Sequence, residues 1–189
     1  NEIAFDAADI TRCGRDIFVQ HSMTTNLRAI NWLKRELSHI RVHTLNFPYD
    51  KEPSHIDCTL VPLRPPKGNQ AGIILTNPER PLLEKDRKIF KNNNWDLIDV
   101  PMPNKINYPM PTFCQSSKWL SMNLLSINEN TIIVEKEEKA LHDILEAFNF
   151  NLIKIPYRDV FEFGGSIHCS TWDIEREDSN QDFFRETKI

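Results

Sequence analysis

The chain has 189 residues, of which 40% are hydrophobic and 26% are charged, a balance typical of one globular domain, or one and a part, and not of a disordered segment. Its 23 basic and 27 acidic residues give a net charge of −4 with histidine neutral, and this mild acidity, without a basic block, argues against nucleic acid as a partner. The apolar runs fall far below the roughly 18 residues that a membrane span needs, so no membrane partner is expected.

Three short runs rich in β-branched residues recur along the chain, around Ile17, Ile73 and Ile132. Recurrence at an interval of roughly 60 residues points to copies of one supersecondary unit. A turn-like segment and another extended segment precede each run, which predicts a β-hairpin. Apolar residues at steps of three and four follow it, which predicts a helix with one buried face.

The predicted unit is therefore strand, strand, helix, strand, three times over. The first unit comprises strands 5–12 and 16–19, a helix through Leu27, Ile30, Leu33 and Leu37, and strand 41–47. The second comprises strands 59–63 and 72–75, a helix through Leu82, Leu83, Asp86, Ile89 and Phe90, and strand 95–100. The third comprises strands 120–127 and 131–134, a helix through Leu141, Ile144, Leu145 and Phe148, and strand 151–155.

The segments around these units carry further predictions. Asn77 and Pro78 suit the N-cap and first turn of the second helix, and the charge-rich segment from Glu175 onward is predicted to be a solvated end. A single unit of this size is too small to bury its own apolar face. The three copies are therefore predicted to form one side of a larger closed arrangement. The chain opens at Asn1 into an apolar segment without a basic leader, which leaves room for a missing front portion.

The cysteines indicate a reducing compartment. The chain has four of them, Cys13, Cys58, Cys114 and Cys169. They form no CxxC pair and no dense framework, which favours a cytoplasmic protein over a disulfide-rich secreted one. Zinc is the competing interpretation of these residues with His55 and His168, but the spacings do not fit the paired ligands of structural zinc sites.

Three places are dense in reactive groups. Asp6 and Asp9 lie between small and apolar neighbours, where a solvated strand end is the plain alternative. His55 and Asp57 are two residues apart, so in an extended segment they point to the same face, although such a pair is often merely exposed. Cys169 follows two adjacent glycines, which allow close approach of a ligand. It is a candidate nucleophile, with a buried, inert cysteine as the alternative.

Six segments resemble the arginine:glycine amidinotransferase family, in order and over nearly all of the chain. They are FDAAD (5–9), GRDIF (14–18), HID (55–57), NPERP (77–81), SSKWLSMN (116–123) and GGSIHC (164–169). The resemblance implies an α/β fold of the pentein type, an α/β propeller of five such units around a pseudo-fivefold axis, of which this chain holds about three. Because family members are longer, it also implies that residues 1–189 are the C-terminal part of a single domain whose front part lies outside this chain.

The resemblance implies a metal-free and cofactor-free transfer of an amidino group from L-arginine to an amine. Cys169 is implied as the nucleophile, and His55 as the acid in the first half-reaction and the base in the second. Asp6 is implied to orient His55, while Asp9 is assigned only to structure. A thiolate beside an imidazolium is expected, as in other activated cysteines.

The substrate contacts are likewise implied by the resemblance. Asp57 matches the carboxylate that grips the guanidinium, for which bidentate pairing is well suited. Arg80, Ser116 and Ser117 match the group that holds the α-carboxylate of the donor. The second guanidinium-binding carboxylate of the family comes from the front part.

Three positions depart from the glycine-using members of the family. Glu52 and Ser54 replace an asparagine and a methionine, which adds a negative charge and widens the pocket beside His55. A carboxylate-bearing acceptor such as glycine is disfavoured there, and a larger cationic acceptor, as in saxitoxin-type natural product biosynthesis, is expected. Trp172 replaces a cysteine and is expected to alter the pocket wall. The alternatives are that Glu52 is an exposed loop residue and that glycine is the acceptor, which would give guanidinoacetate and ornithine.

Two other functions remain open at this point. Related penteins add water in place of an amine, as deiminases do, and others are non-catalytic binding proteins. Retention of Asp6, His55 and Cys169 disfavours the second of these. The expected partners are small-molecule substrates, and the family suggests a homodimer.

Overall fold

The computed structural model describes residues 2–48, 54–105, 117–177 and 180–185. These residues form three units, each with one three-stranded sheet and one α-helix. The first unit contains β1 (Ile10–Cys13), β2 (Asp16–Gln20), α1 (Leu27–Glu36) and β3 (Arg41–Leu45). The second contains β4 (Leu60–Arg64), β5 (Gly72–Thr76), α2 (Glu84–Lys91) and β6 (Trp95–Asp99). The third contains β7 (Leu125–Asn128), β8 (Thr131–Glu135), α3 (Lys139–Ala147) and β9 (Asn151–Ile155).

The three sheets share one topology. In each, the first two strands pair antiparallel and the third pairs parallel to the second after the helical crossover. Every residue of β2 and of β5 is buried, as expected for a central strand that is covered on both faces. The predicted order of strand, strand, helix and strand is confirmed in all three units, and the architecture is that of the pentein fold.

The units share their cores. One apolar cluster joins the first two units through Phe18, Leu45, Ile74 and Phe90, and another joins the second and third units through residues such as Leu75. β4 packs against both β1 and β7, so the first strand of each unit lies on the inner side, while each helix packs on the third strand of its own unit. The first unit also has an apolar cluster of its own between β2 and α1 (Ile17, Val19, Ile30 and Leu33), so the sharing of cores that is predicted for a repeat of this size is seen in the two clusters that join neighbouring units.

A short 3₁₀ helix precedes the first strand of every unit: Ala7–Asp9, Ile56–Cys58 and Leu120–Met122. The predictions that strands begin at residues 5 and 120 are therefore wrong. In the first unit the cause is Asp6, whose Oδ1 accepts the backbone N–H of Ala8 at 2.9 Å, a local bond that competes with strand pairing. The first and third of these 3₁₀ helices both contact the second.

The predicted start of the second helix is also wrong. α2 begins at Glu84 and not at Asn77. The Asn77 side chain instead accepts the N–H of Glu79 at 2.9 Å and donates to the carbonyl of Cys58 at 3.0 Å. Asn77 thereby forms a turn that joins the end of β5 to the segment before β4, and the helix begins only beyond Pro81.

The prediction of a solvated C-terminal end is wrong for Phe184, although residues 180–182 and 185 are exposed. Phe184 is 3% exposed and stacks on Trp95 with ring centroids 5.6 Å apart. Arg41 forms an ion pair with Asp182 and donates to the carbonyl of Phe184 at 2.9 Å. The charge of Asp182 is thus paired with Arg41 on β3, while Phe184 is buried in the core. No helix among the described ranges is long and apolar enough to cross a membrane.

Packing of this C-terminal segment against Gly14 should make substitution of Gly14 especially costly in stability. Gly14 and Gly68 both have left-handed φ angles, +62° and +59°, but only at Gly14 would a Cβ meet other atoms, 2.2 Å from the carbonyl oxygen of Gln181. Gly68→Ala should lower the free energy of unfolding by about 1–2 kcal/mol, the cost of that backbone conformation. Gly14→Ala should cost about 1–3 kcal/mol more, because the segment must move. Urea unfolding of both variants measures the difference, and equal losses would contradict the docking.

Candidate active site

A cavity of about 660 Å³ is lined by residues from all three units. Five of the predicted site residues line it: His55, Asp57, Arg80, Ser117 and Cys169. The fold thus brings together side chains that are more than a hundred positions apart in the sequence.

One further predicted residue, Asp6, is described but is not among the lining residues. Asp6 lies beside the cavity, in contact with His55. Glu52 and Ser116 lie outside the described residues. Their predicted roles toward the acceptor and the donor carboxylate stay predictions.

Asp6 and His55 form the first pair of the site. The Asp6 Oδ2 lies 3.5 Å from His55 Nε2, and both side chains are about two-fifths exposed. Asp6 caps the 3₁₀ helix Ala7–Asp9, and His55 stands at the N-cap of the 3₁₀ helix Ile56–Cys58. Because both are anchored by the start of a short helix, the carboxylate is held where it can orient the imidazole, as in catalytic triads.

Asp57 is the centre of the second group. Its carboxyl Oδ2 accepts from Asn123 Nδ2 at 2.7 Å, from His168 Nδ1 at 3.0 Å and from Cys169 Sγ at 3.4 Å. The other oxygen, Oδ1, is buried and has no hydrogen-bond partner among the described residues. A buried carboxylate with one oxygen saturated and one unused is suited to receive a further donor.

The pKa values of this group are coupled through Asp57. Burial works to raise the pKa of the Asp57 carboxyl, but the hydrogen bond and charge of His168 lower it on balance. The hydrogen bond to Asp57 raises the pKa of His168 against the effect of burial. Both groups are therefore charged at pH values between the lowered and the raised pKa, and the attraction is lost as the pH leaves that interval on either side.

Cys169 differs from the sequence-based expectation of a cysteine activated by an imidazolium. The residue is exposed, yet desolvation by the atoms around its sulfur raises the pKa of its thiol, and the charge of Asp57 raises it further. The hydrogen bond from Asn123 Nδ2 at 3.2 Å works in the opposite direction. Desolvation of the sulfur and, after it, the charge of Asp57 thus both raise the pKa of Cys169 and favour its thiol form.

The glycine pair ahead of Cys169 is needed for its close packing. Gly164 adopts a left-handed φ of +84°, which favours glycine. A Cβ on Gly165 would come within 2.8 Å of the Cys169 Cβ and 3.3 Å of its sulfur. The absence of a side chain at Gly165 thus allows the close approach of Cys169, while the predicted close approach of a ligand to these glycines stays a prediction.

Arg80 is a fixed part of the cavity wall. It is 7% exposed, donates to Thr59 Oγ1 and to Gln20 Oε1, and places its guanidinium 4.7 Å from the centroid of the Phe47 ring. A guanidinium held by an aromatic face and by side-chain acceptors is pre-oriented. This rigidity suits a group that is predicted to hold a carboxylate.

Asp9 has the structural role that the sequence assigned to it. The residue is fully buried and accepts hydrogen bonds from four side chains, Gln20, Ser22, Thr24 and Thr25, at 2.6–2.9 Å. It thereby fixes the loop between β2 and α1 at the rim of the cavity.

The sequence reasoning missed Asn123 and the role of His168. Asn123 lies at the end of the matched SSKWLSMN segment, but a neutral amide among apolar neighbours gives no signal of its own. For His168 the sequence suggests only a competing role as a zinc ligand, and the described ranges contain no group of three or more histidine, cysteine or acidic residues able to hold a metal. Trp172, expected in the pocket wall, is 88% exposed and does not line the cavity, so that expectation is wrong.

No protein-family model matches the chain, but individual proteins do. The mitochondrial glycine amidinotransferase of Xenopus laevis is 38% identical over 186 residues, which are 97% of this chain and 41% of that protein. The L-arginine:L-lysine amidinotransferase of Pseudomonas savastanoi pv. phaseolicola is 41% identical over 176 residues, which are 93% of this chain and 45% of that protein.

A solved structure is similar over the same extent. SxtG, an amidinotransferase from Microseira wollei in the saxitoxin biosynthetic pathway, is 38% identical and superposes with a TM-score of 0.81, covering 95% of this chain and 50% of that one. The chain thus spans half or less of the length of these relatives.

Removal of the Asp57 charge should make Cys169 more acidic. Because that charge raises the pKa of the thiol, Asp57→Asn should shift the pH dependence of Cys169 alkylation by iodoacetamide to lower pH. Asp96→Asn, on an exposed position of β6, makes the same chemical change away from the site and should leave the profile unchanged. Peptide mass spectrometry of the full-length protein assigns the alkylated cysteine, and a shift to higher pH in Asp57→Asn would contradict the assigned coupling.

Proposed function

We propose that this chain, which belongs to the glycine amidinotransferase family over nearly all of its length, carries the nucleophile of an enzyme that moves the amidino group of L-arginine to an amine acceptor. Because the chain spans half or less of its relatives, the activity is proposed for the whole protein. Residues 1–189 are then the C-terminal part of a single pentein domain, and the remainder supplies the second carboxylate for the guanidinium.

One observation carries the proposal. Cys169 and His55 line one cavity together with Asp57, a buried carboxylate whose Oδ1 has no hydrogen-bond partner in the part of the chain that is described. A guanidinium is planar and positively charged, and its N–H groups match carboxylate oxygens. A donor bound to Asp57 Oδ1 would bring its central carbon close to the sulfur, since that sulfur lies 3.4 Å from Oδ2 of the same carboxylate.

The first half-reaction transfers the amidino group to the enzyme. The guanidinium of arginine offsets the negative charge of Asp57, so the thiol of Cys169 loses its proton to His55 more readily. The thiolate attacks the guanidinium carbon and forms a C–S bond. The bond from that carbon to the side-chain nitrogen of ornithine then breaks, and His55 gives its proton to the leaving nitrogen. The products are ornithine and an amidino group on Cys169.

The second half-reaction reverses these roles. The neutral acceptor amine attacks the amidino carbon, and His55 takes a proton from its nitrogen. The C–S bond breaks, and the sulfur recovers a proton from His55 as the thiol. Asp6 stabilises the charged form of His55 in both directions.

Arg80 and Ser117, together with Ser116, would hold the α-carboxylate of the donor. Arg80 supplies the positive charge, and its orientation is set by Thr59, Gln20 and Phe47. Because these neighbours keep the guanidinium in place before the donor binds, little side-chain entropy is lost on binding.

The acceptor is proposed to be a larger cationic amine, as in saxitoxin-type biosynthesis. The support is the negative charge of Glu52 and the small side chain of Ser54 in the sequence. The similarity to SxtG is compatible with this choice, and the similarity to glycine and lysine amidinotransferases supplies the competing acceptors. A cytoplasmic location and a homodimer stay predictions.

The covalent step is tested with L-arginine in the absence of an acceptor. The full-length protein should release ornithine and gain the mass of one amidino group on the peptide that contains Cys169. Cys169→Ala should release no ornithine and form no adduct. Cys58 is the internal control, because burial raises the pKa of its thiol well above the ordinary value. An adduct on Cys58 or Cys13, or production of citrulline in place of transfer, would contradict the proposal.

The acceptor is tested by competition between amines. Wild type should prefer a guanidinium- or ammonium-bearing amine over glycine, and Glu52→Gln should reduce kcat/KM for that amine by about 10-fold or more, as expected for loss of a charged hydrogen-bonding partner. The KM for arginine should change little. A wild-type preference for glycine, or an unchanged preference in Glu52→Gln, would overturn the electrostatic assignment.

A further inference from the structure

Asn123 forms hydrogen bonds both to Asp57 and to the loop that carries Cys169. Its Nδ2 donates to Asp57 Oδ2 at 2.7 Å and to Cys169 Sγ at 3.2 Å. Its Oδ1 accepts the backbone N–H groups of Ser166 at 3.1 Å and of Cys169 at 2.9 Å. Its own carbonyl accepts the N–H of His168 at 3.0 Å. One side-chain amide therefore joins the carboxylate to the loop that carries the nucleophile.

The position of Asn123 is fixed by the core. The residue is 1% exposed and is the C-cap of the 3₁₀ helix Leu120–Met122, with its N–H donating to the carbonyl of Leu120 at 3.1 Å. Leu120, Met122 and Leu124 are all buried in the apolar cluster that joins the second and third units. Because its neighbours are immobilised by packing, the amide is placed before any substrate binds.

Asparagine has the functional groups that this position needs. The amide nitrogen carries two donors and the oxygen accepts two hydrogen bonds, and here both oxygen acceptor sites and both donors have partners. A carboxylate would keep the acceptors but lose the donors, while a hydroxyl could not reach both sides with the same geometry. The site therefore uses both the donor nitrogen and the acceptor oxygen of one side-chain amide.

We propose that Asn123 is a positioning residue for the donor half-reaction, which holds Asp57 Oδ2 so that Oδ1 is left for the guanidinium and fixes Cys169 beside that carboxylate. This inference rests on the proposed function, because the guanidinium is the ligand assigned to Oδ1. His168 assists by occupying the same Oδ2 at 3.0 Å. With both donors on one oxygen, the carboxyl group cannot rotate freely to exchange its two oxygens.

The arrangement also affects the charge on the sulfur. Without the Asn123 donor, a thiolate on Cys169 would face Asp57 with less stabilisation, since that hydrogen bond lowers the thiol pKa. The same substitution should therefore alter both donor binding and nucleophile titration. A residue that only supported the fold would change neither in the folded protein.

The test compares Asn123→Asp with Asn128→Asp. The first variant keeps an oxygen for the two backbone N–H groups but replaces the donor next to Asp57 and Cys169 with a second oxygen. The control makes the same change at an exposed position in the third hairpin, where Oδ1 only accepts the N–H of Asn130. Full-length protein is used, and folding is checked by circular dichroism and urea unfolding.

Asn123→Asp should raise the KM for arginine about 10-fold or more and raise the pKa of Cys169, read from iodoacetamide alkylation, by about one unit or more, as expected for an added like charge. Asn128→Asp should match wild type in both. A folded Asn123→Asp with the wild-type KM and the wild-type alkylation profile would overturn the proposal.

A double variant covers failure of Asn123→Asp to fold. In the double variant, Asp57→Asn with Asn123→Asp, the donor and the acceptor exchange places. It should therefore recover the stability that the Asn123→Asp variant loses. A double-mutant cycle measures the interaction free energy between the two positions. No recovery would also overturn the proposal. Alkylation of Cys169 does not depend on amidino transfer. If wild type forms no arginine adduct, the proposed function is contradicted. The role of Asn123 is then still decided by the alkylation profile.

Discussion

The burial of one carboxylate, Asp57, is the constraint on which the rest of the site depends. A buried negative charge is costly unless donors surround it, and here Asn123, His168 and Cys169 all direct donors to a single oxygen. The nucleophile loop, the third unit and the second unit are thereby tied to one atom. The other oxygen, Oδ1, keeps its hydrogen-bonding capacity. Oδ2 thus has a structural function, and Oδ1 is left for a binding function.

The repeat explains how side chains from distant parts of the sequence come together in one site. Each unit begins with a three-residue 3₁₀ helix before its first strand, and the second of these helices contacts both others. The chemistry lies at the ends of these helices: Asp6 at the N-cap of the first, His55 at the N-cap of the second, and Asn123 at the C-cap of the third. Equivalent positions in a repeat converge around its inner side, so three similar turns with different side chains build one site.

The fold was largely predictable from the sequence because its signals are periodic. Strand β9 and the helical faces of α1 and α3 follow from apolar spacing alone. The 3₁₀ helices were not predictable, since three residues are too few to show a period, and the start of α2 was misjudged because Asn77 can cap a helix or form a turn. The C-terminal segment was misjudged because its charges outnumber its aromatic residues, yet Phe184 decides where it lies. Asn123 gave no signal because its function depends on four partners that only the fold brings together.

The same carboxylate that would bind the donor also opposes ionisation of the nucleophile. Desolvation of the sulfur and, after it, the charge of Asp57 raise the pKa of Cys169 and favour its protonated form, and a protonated thiol is a poor nucleophile toward adventitious electrophiles. Under the proposed function, arginine carries the positive charge that offsets Asp57, so its binding removes the main electrostatic obstacle to thiolate formation at the moment when the guanidinium carbon is in place. A neutral ligand of similar shape would fill the cavity without this effect. Selectivity for a cationic donor would then follow from the titration of the nucleophile as well as from the binding contacts.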